Sequence, residues 1–414
     1  MSNHLSEVRK LLAEYGQEHL LMKYDEFSPE KQEKLLAQIK AIDFKLMEKL
    51  YLQATDPVIN EDITVEPVPY IDKDSLPGPR ANCYRELGED AIRDGKLAVV
   101  TMAGGQGTRL GFNGPKGAFI FDKENNMSIF EALTNTLKKV CEQFLVDIPW
   151  YIMTSSENNA ETIKFFEENN YFGYESSAIK FFIQGELPML DFNGKILLDE
   201  NYMPKMAANG HGGTLFSMEK SGVLDELRAN GIEWVSINGV DNVLVKPIDP
   251  IFIGLSIQRN VLGSIKSISK AEPNEKVGVI CKKNGKVGVV EYTEISEKMA
   301  NLRDENGNLV YGDAYALFNL YNIEGLNRVA EISLPYHVAV KKADYIDCSG
   351  KFVKADKPNA YKFEMFIFDS YEMFKSVGVL RVKREDEFAP IKNAEGVDSP
   401  ETALKLYREY MSKQ

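Results

Sequence analysis

The residues best suited to chemistry lie between Leu97 and Gly117, in the run LAVVTMAGGQGTRLGFNGPKG. An apolar segment ending at Met102 reads as a buried strand. It leads directly into a loop with glycines at 104, 105, 107 and 111. Without side chains in the way, backbone N–H groups of such a loop can approach phosphate oxygens. Arg109 and Lys116 can add charge-assisted bonds to the same oxygens. A Walker A loop is excluded, because Lys116 stands between Pro115 and Gly117 and no Ser or Thr follows it. A dinucleotide fingerprint is excluded too, because Gly105, Gly107 and Gly111 are spaced G-x-G-x-x-x-G. The pattern predicts a phosphate-binding loop; a flexible structural loop is the plainer alternative.

Three further stretches could serve such a site. In INGVDNVLVKPIDP, Ile237 to Pro250, Asp241 follows a strand-like run and should project from its carboxyl end, where open α/β sheets bind ligands. One carboxylate there suits Mg²⁺, which takes one or two carboxylates plus substrate phosphates. A turn-forming Asp-Asn explains the same residues equally well. In ANGHGGTLFS, Ala208 to Ser217, Gly210, Gly212 and Gly213 permit close approach of a base or sugar, though a surface turn needs no ligand. A similar ambiguity holds for QGELPMLD, Gln184 to Asp191, and His211 alone is more often structural than catalytic. Finally, Lys392 follows the charged run of LRVKREDEFAPIKNAEG and stands between Ile391 and Asn393, where a cleft could use it.

The elements that must hold these residues are legible in outline. Apolar residues recur at helical spacing from Ser6 to about Tyr51, predicting a helical N-terminal segment, 1–95, with a proline-bearing linker from Pro67 to Arg80. From Lys96 onward, short apolar runs alternate with helical segments, the mark of βαβ units around a mostly parallel sheet. Ser128 and Glu131 form a capping-box pattern at one helix start. The texture turns strand-rich after Val261, with Asn-Gly turns at Asn284 and Asn306. A catalytic domain is expected over 96–390 and a short C-terminal segment over 391–414, where Ser399 and Pro400 begin a helix.

Composition narrows the function. A chain of 414 residues implies two or three domains, and 44% hydrophobic residues rule out disorder. A net charge of -13 disfavours nucleic-acid binding, so an anionic ligand must be met by local Lys and Arg. The four cysteines form no C-x-x-C pair and the N-terminus has no signal-like apolar core, which predicts a cytoplasmic protein. No membrane association is expected, and a monomer is favoured.

Together these blocks resemble the eukaryotic-type UDP-sugar pyrophosphorylases, most of all their UDP-N-acetylglucosamine branch. The resemblance rests on YGQEHLL at Tyr15, AGGQGTRLG, PKG, IPWYIMTS at Ile148, QGELP, VDNVLVKPIDPIFIG, VGVVEYTEIS, HVAVKKADYID, KADKPN and REDEFAPIKNA. It implies a Rossmann-like nucleotidyltransferase core with a mixed, mostly parallel sheet, a helical N-terminal segment and a short C-terminal region. It also implies a uridylyltransferase that makes a UDP-sugar and pyrophosphate from UTP and a sugar 1-phosphate, with Mg²⁺. Carried onto this chain, Gly104, Gly105, Gly107, Gln184 and Gly210 would hold the nucleotide. Arg109 and Lys116 would bind the UTP phosphates, Lys392 would face the reacting phosphates and Asp241 would hold the metal. The sugar would meet His211, Gly278, Glu291, Tyr315, Phe366 and Phe368. At two of these positions the acetylglucosamine members carry asparagine, whereas this chain has His211 and, by ungapped counting, Tyr315. Those two positions point to glucose 1-phosphate, or to broad UDP-sugar specificity, where the overall resemblance points to N-acetylglucosamine 1-phosphate. From another class, a non-catalytic nucleotide-sugar sensor would keep the fold; retention of Arg109, Lys116, Asp241 and Lys392 speaks against it.

Overall fold

The computed structural model describes residues 2–56, 64–292, 294–332 and 334–413. They form two compact units, and neither is continuous in sequence: the larger comprises Asp62–Gln184, Thr214–Ser333 and Ile367–Gln414, the smaller Met1–Glu61, Gly185–Gly213 and Leu334–Phe366. A reading of contiguous segments divides the chain instead at 95 and 390. The difference arises because two excursions leave the larger unit to complete the smaller one.

The larger unit is built on a twisted sheet. Its labelled strands are β1 (Leu97–Met102), β2 (Trp150–Thr154), β3 (Ile179–Ile183), β4 (Trp234–Gly239), β5 (Gly263–Ser269), β6 (Asp313–Asn322) and β7 (Gly378–Val382). They lie in the order β7-β5-β6-β4-β1-β2-β3. The four strands β4, β1, β2 and β3 run parallel, while β6 is antiparallel to both its neighbours. β1, β2 and β4 are buried along their whole length, so β1 and β2 read as nearly continuous apolar runs, while β4 also buries the polar Ser236 and Asn238. The segment expected to be a linker contributes two short strands, Val65–Pro67 against Lys283–Cys281 and Ile71–Asp72 against Leu380–Arg381. Prolines at 67 and 69 suggested a break, but such residues are tolerated in short edge strands.

Local signals read from the sequence are visible at several element ends. Ser128 Oγ accepts from Glu131 N at 3.1 Å to cap the helix Ile129–Phe144. Ser399 forms a full capping box with Thr402 at the start of Pro400–Met411. Asn284 and Gly285, with φ of 50° and 79°, turn the hairpin between Val279–Lys283 and Lys286–Val290. Asn306 and Gly307 also turn the chain, but between the bridge partners Arg303 and Leu309 in a loop. Helix Pro400–Met411 belongs to the larger unit's core through Ala403 and Tyr407.

Helices Gly78–Arg93 and Pro250–Gln258 touch backbone to backbone. A Cβ on Gly254 would stand 1.8 Å from the Tyr84 carbonyl oxygen, and one on Gly88 2.0 Å from that of Pro250. That close packing fixes the segment leading away from Asp241.

In the smaller unit, helices Ser2–Glu14, Pro29–Ala41 and Phe44–Thr55 bury Leu12, Leu35, Ile39 and Leu50 against Leu190, Ile196 and Phe363. The excursion strands Tyr336–Lys341, Ala360–Met365 and Leu190–Asp191 pair antiparallel in that order. Among the described residues, no helix is long and apolar enough to cross a membrane.

Candidate functional site

In the larger unit the glycine loop folds back on itself where β1 ends. Gly107 N donates to Gly114 O at 2.9 Å, and Lys116 N donates to Gly105 O at 3.1 Å, so residues seven and eleven apart in sequence lie side by side. The loop's glycines serve two different purposes. Gly104, Gly107 and Gly117 are needed by the protein itself: a Cβ would come within 2.6 Å of Gln184, 2.7 Å of Phe112 and 2.3 Å of Phe130. Gly105 is exposed and meets no protein atom within 4 Å of where its Cβ would be. Among the glycines of this loop, only at Gly105 does the missing side chain leave open space without a left-handed backbone to explain it. Arg109 is exposed on the short turn Thr108–Leu110.

Sequence reasoning missed the residue that holds this loop. Asn158 is completely buried; its Nδ2 donates to Ala103 O at 3.0 Å and to Gly105 O at 3.3 Å, while its Oδ1 accepts from Ser155 N at 2.8 Å. Asn158 stands beside Asn159 in the run SSENNAET, which carries no signal of this in the sequence.

β4 lies parallel to β1 with Gly239 opposite Met102, and Val240 N donates to Met102 O at 3.1 Å. Asp241 therefore emerges beside the glycine loop at the carboxyl edge of the sheet. Lys116 Nζ stands 3.7 Å from Asp241 Oδ2, with both side chains partly exposed. Such a long contact leaves oxygen and nitrogen able to take other partners. Lys392 is brought to the same edge through backbone: Ile391 N donates to Asp241 O at 2.8 Å. Its own N donates to Asp398 O at 2.7 Å, and Nζ pairs with Asp398 Oδ2 at 3.2 Å. Two lysines and an exposed arginine thus stand at one sheet edge of a strongly acidic chain.

Gly278, Glu291, Tyr315 and Phe368 also gather in the larger unit. Tyr315 N donates to Gly278 O at 2.8 Å, a Cβ on Gly278 would stand 3.8 Å from Glu291 Oε1, and the Tyr315 and Phe368 rings meet edge to face at 5.4 Å. The Tyr315 hydroxyl is taken up within the protein. It bonds Asn319 Oδ1 at 2.9 Å inside the core, and burial pushes the phenol well above its ordinary pKa. Asn319 accepts from Tyr371 as well and donates to Ile237 O, so that hydroxyl is part of a satisfied network.

The smaller unit holds Gly210, His211 and Phe366. Gly210 has φ of +85° and its Cβ would lie 2.3 Å from Met365 O, so the close approach expected for a ligand is made by the chain's own strand. The His211 ring stacks on Phe366 at 5.3 Å, and Phe366 stacks on His337 at 4.6 Å. His337 lies outside the residues singled out from sequence.

This geometry can be set beside known proteins. The profile of the family described as UTP--glucose-1-phosphate uridylyltransferase matches residues 43–401. The chain belongs to that family. UDP-N-acetylglucosamine diphosphorylase 2 of Arabidopsis thaliana is 36% identical, over 95% of this chain and 82% of its own. UDP-N-acetylglucosamine pyrophosphorylase of Saccharomyces cerevisiae is 34% identical, over 97% and 89% respectively. The crystal structure of uridine diphosphate N-acetylglucosamine pyrophosphorylase from Trypanosoma brucei, in complex with an inhibitor, is 30% identical with a TM-score of 0.83, covering 98% of this chain and 84% of that one. The protein is an α/β enzyme with the activity class of its family, a UTP:sugar-1-phosphate uridylyltransferase.

Proposed function

We propose that the sugar is N-acetylglucosamine 1-phosphate and that Lys116, Arg109 and Lys392 carry the charge chemistry, with Asp241 holding Mg²⁺. The observation that supports these roles best is the meeting of Lys116 and Asp241 at one sheet edge, beside the backbone that carries Lys392. An oxygen of the sugar phosphate attacks the α-phosphorus of UTP in line, the α–β bridging P–O bond breaks, and pyrophosphate leaves on the opposite side. The attacking oxygen is already an anion, so no general base is required. What the protein must supply is orientation and opposing charge. Arg109 and Lys116 meet the outgoing phosphates, and Lys392 meets the phosphoryl group between nucleophile and leaving group.

The donor set fits a magnesium ion. Asp241 is a single, partly exposed carboxylate, and no cluster of three or more His, Cys, Asp or Glu suited to a metal occurs among the described residues. Mg²⁺ retains several waters and binds through one or two carboxylates with substrate oxygens completing its shell. Once bound, such an ion neutralises phosphate charge and aligns the phosphates.

The choice of sugar follows the relatives named for N-acetylglucosamine at 34–36% identity. The local argument for glucose rests on histidine and tyrosine standing where the acetylglucosamine members carry asparagine; the Tyr315 hydroxyl donates to Asn319, so its proton is already committed within the protein. A pyrophosphate-release assay with UTP and a panel of sugar 1-phosphates tests the reading. N-acetylglucosamine 1-phosphate should exceed glucose 1-phosphate in kcat/KM by about tenfold or more, the scale set by one or two satisfied polar contacts. Equal or reversed values would return the assignment to His211 and an unsubstituted hexose.

Gly105 offers a sharper test of the loop. Gly105→Ala should leave thermal stability unchanged, because its Cβ meets open space. It should raise the KM for UTP about tenfold if phosphate or ribose packs against that backbone. An unchanged KM would place the nucleotide elsewhere.

A further inference from the structure

Behind the edge that carries Asp241 and Lys392 lies a buried set of charges with no part in the chemistry above. Lys266 Nζ is 2.6 Å from Glu387 Oε2 and 2.8 Å from Asp249 Oδ2. Lys73 Nζ is 2.6 Å from the same Asp249 oxygen and 3.4 Å from Glu387 Oε1. The side chains of Lys266, Asp249 and Glu387 are 1%, 5% and 2% exposed, and that of Lys73 is 23% exposed. The four groups close a ring of alternating sign, and Lys246 approaches Glu387 from outside at 4.0 Å. Burial alone would raise the Asp249 carboxyl, but Lys266 and Lys73 hold it well below the usual carboxylate range.

Stability is a poor reason for such a ring, since well-packed apolar replacements of buried ion pairs are often neutral or stabilising. Its members are informative for where they sit. Lys266 is on β5, and Asp249 caps the helix Pro250–Gln258 by accepting from Ile251 N at 3.1 Å. Glu387 ends the short helix Arg384–Glu387, five residues before Lys392. The ring therefore ties the chain following Asp241 and the chain preceding Lys392 to one strand of the sheet.

Asn242 completes the connection and is 3% exposed. Its Oδ1 accepts from Ala389 N at 2.8 Å and Leu244 N at 3.1 Å, and its Nδ2 donates to Glu387 O at 2.7 Å. Val243 N donates to Ala389 O at 3.2 Å, beside the Ile391 to Asp241 bond. Asp241–Val243 and Ala389–Ile391 thus run as an antiparallel two-stranded clamp, with Asp241 at one end of it and Lys392 one residue beyond the Ile391 that faces Asp241.

We infer that Lys266, Glu387 and Asn242 are positioning residues, which set the height of Lys392 against Asp241 for phosphoryl transfer. The inference rests on the reading in which Lys392 faces the reacting phosphates. Misplacing a catalytic group by about 1 Å can cost about a hundredfold in rate. The ring is the part of the fold whose loosening would move Lys392 without touching substrate.

The test is a double-mutant cycle on the full chain. Lys266→Met combined with Glu387→Gln removes one charge of each sign, and the fold should survive with its thermal midpoint kept or raised. Its kcat should fall about tenfold to a hundredfold, with the KM for UTP and for the sugar phosphate moving less than about twofold. In a Lys392→Ala background the same pair should change kcat by less than about threefold, because the group it positions is gone. A folded pair variant with normal kcat would overturn the inference, as would an equal, independent loss in the Lys392→Ala background. If the pair variant does not fold, Asn242→Ala decides by the same cycle, since it leaves every charge in place. Undiminished kcat in Lys392→Ala alone would instead sink the role of Lys392, a failure separate from that of the ring.

Discussion

Replacing Lys392 by alanine is expected to lower kcat about a hundredfold to a thousandfold while changing either KM much less, the range for losing a preorganised charge that acts in the transition state. The fold should not respond. Lys392 and its neighbours are held by backbone bonds, from Ile391 N to Asp241 O and from Lys392 N to Asp398 O, none of which needs the side chain. The ion pair with Asp398 is 42% exposed on the lysine side, and such pairs contribute about 1 kcal/mol or less. Nζ also lies 5.5 Å from the centre of the Phe388 ring, which adds a similarly small cation–π contact. Lys392→Met separates packing of the aliphatic stem from the charge, because it keeps most of the stem while losing the ion pair and the cation–π contact. The two variants should be equally slow and equally stable. A variant that raised only the KM for the sugar phosphate would make Lys392 a ground-state binding residue.

How much of this could be read without coordinates depends on whether a feature is contiguous. The loop from Gly104 to Lys116 announces itself because strand, glycines and cations are consecutive. Asp241 could be placed at a strand end from its apolar run, but its meeting with Lys116 could not, since that depends on β4 pairing with β1. Resemblance to a family supplied the role of Lys392, whereas the clamp that delivers it runs through Asn242, for which no local pattern exists. Asn158, Asn242 and Asn319 share one property: each is buried and bonds backbone from a distant part of the chain. A single asparagine gives no periodicity and no spacing from which such bonds could be inferred. Tyr315 shows a different limit. Its residue type says only that no amide stands there; that its hydroxyl is bonded within the protein depends on the register of β6 and on the buried Asn319 four residues on. The linker expected near Pro67 failed because edge strands only two or three residues long exist by virtue of their partners, here Cys281 and Leu380.

The other large effect is expected at Asp241. Asp241→Asn keeps the size of the side chain and the backbone carbonyl that receives Ile391 N, so folding and the position of Lys392 should be preserved. Activity should nevertheless fall about a hundredfold or more, and the divalent cation concentration giving half-maximal rate should rise, because an amide is a far weaker ligand for Mg²⁺ than a carboxylate. The competing explanation is that Asp241 serves only as the ion partner of Lys116. Magnitudes separate the two. A pair at 3.7 Å with side chains 17% and 23% exposed is a partly solvated contact. Contacts of that kind are worth about 1 kcal/mol, or roughly fivefold in rate, and they weaken with added salt. A hundredfold loss corresponds to about 2.7 kcal/mol and exceeds what the pair alone can account for. The cation titration gives an independent reading, since losing a partner for Lys116 would not move the metal requirement of the reaction. If Asp241→Asn lost only a few-fold and its cation dependence matched that of the unaltered enzyme, the carboxylate would be a partner of Lys116 and the metal would be held by substrate and water alone. Unaltered enzyme that turned over normally in excess EDTA would remove the metal from the reaction altogether, leaving Arg109, Lys116 and Lys392 to balance the phosphate charge.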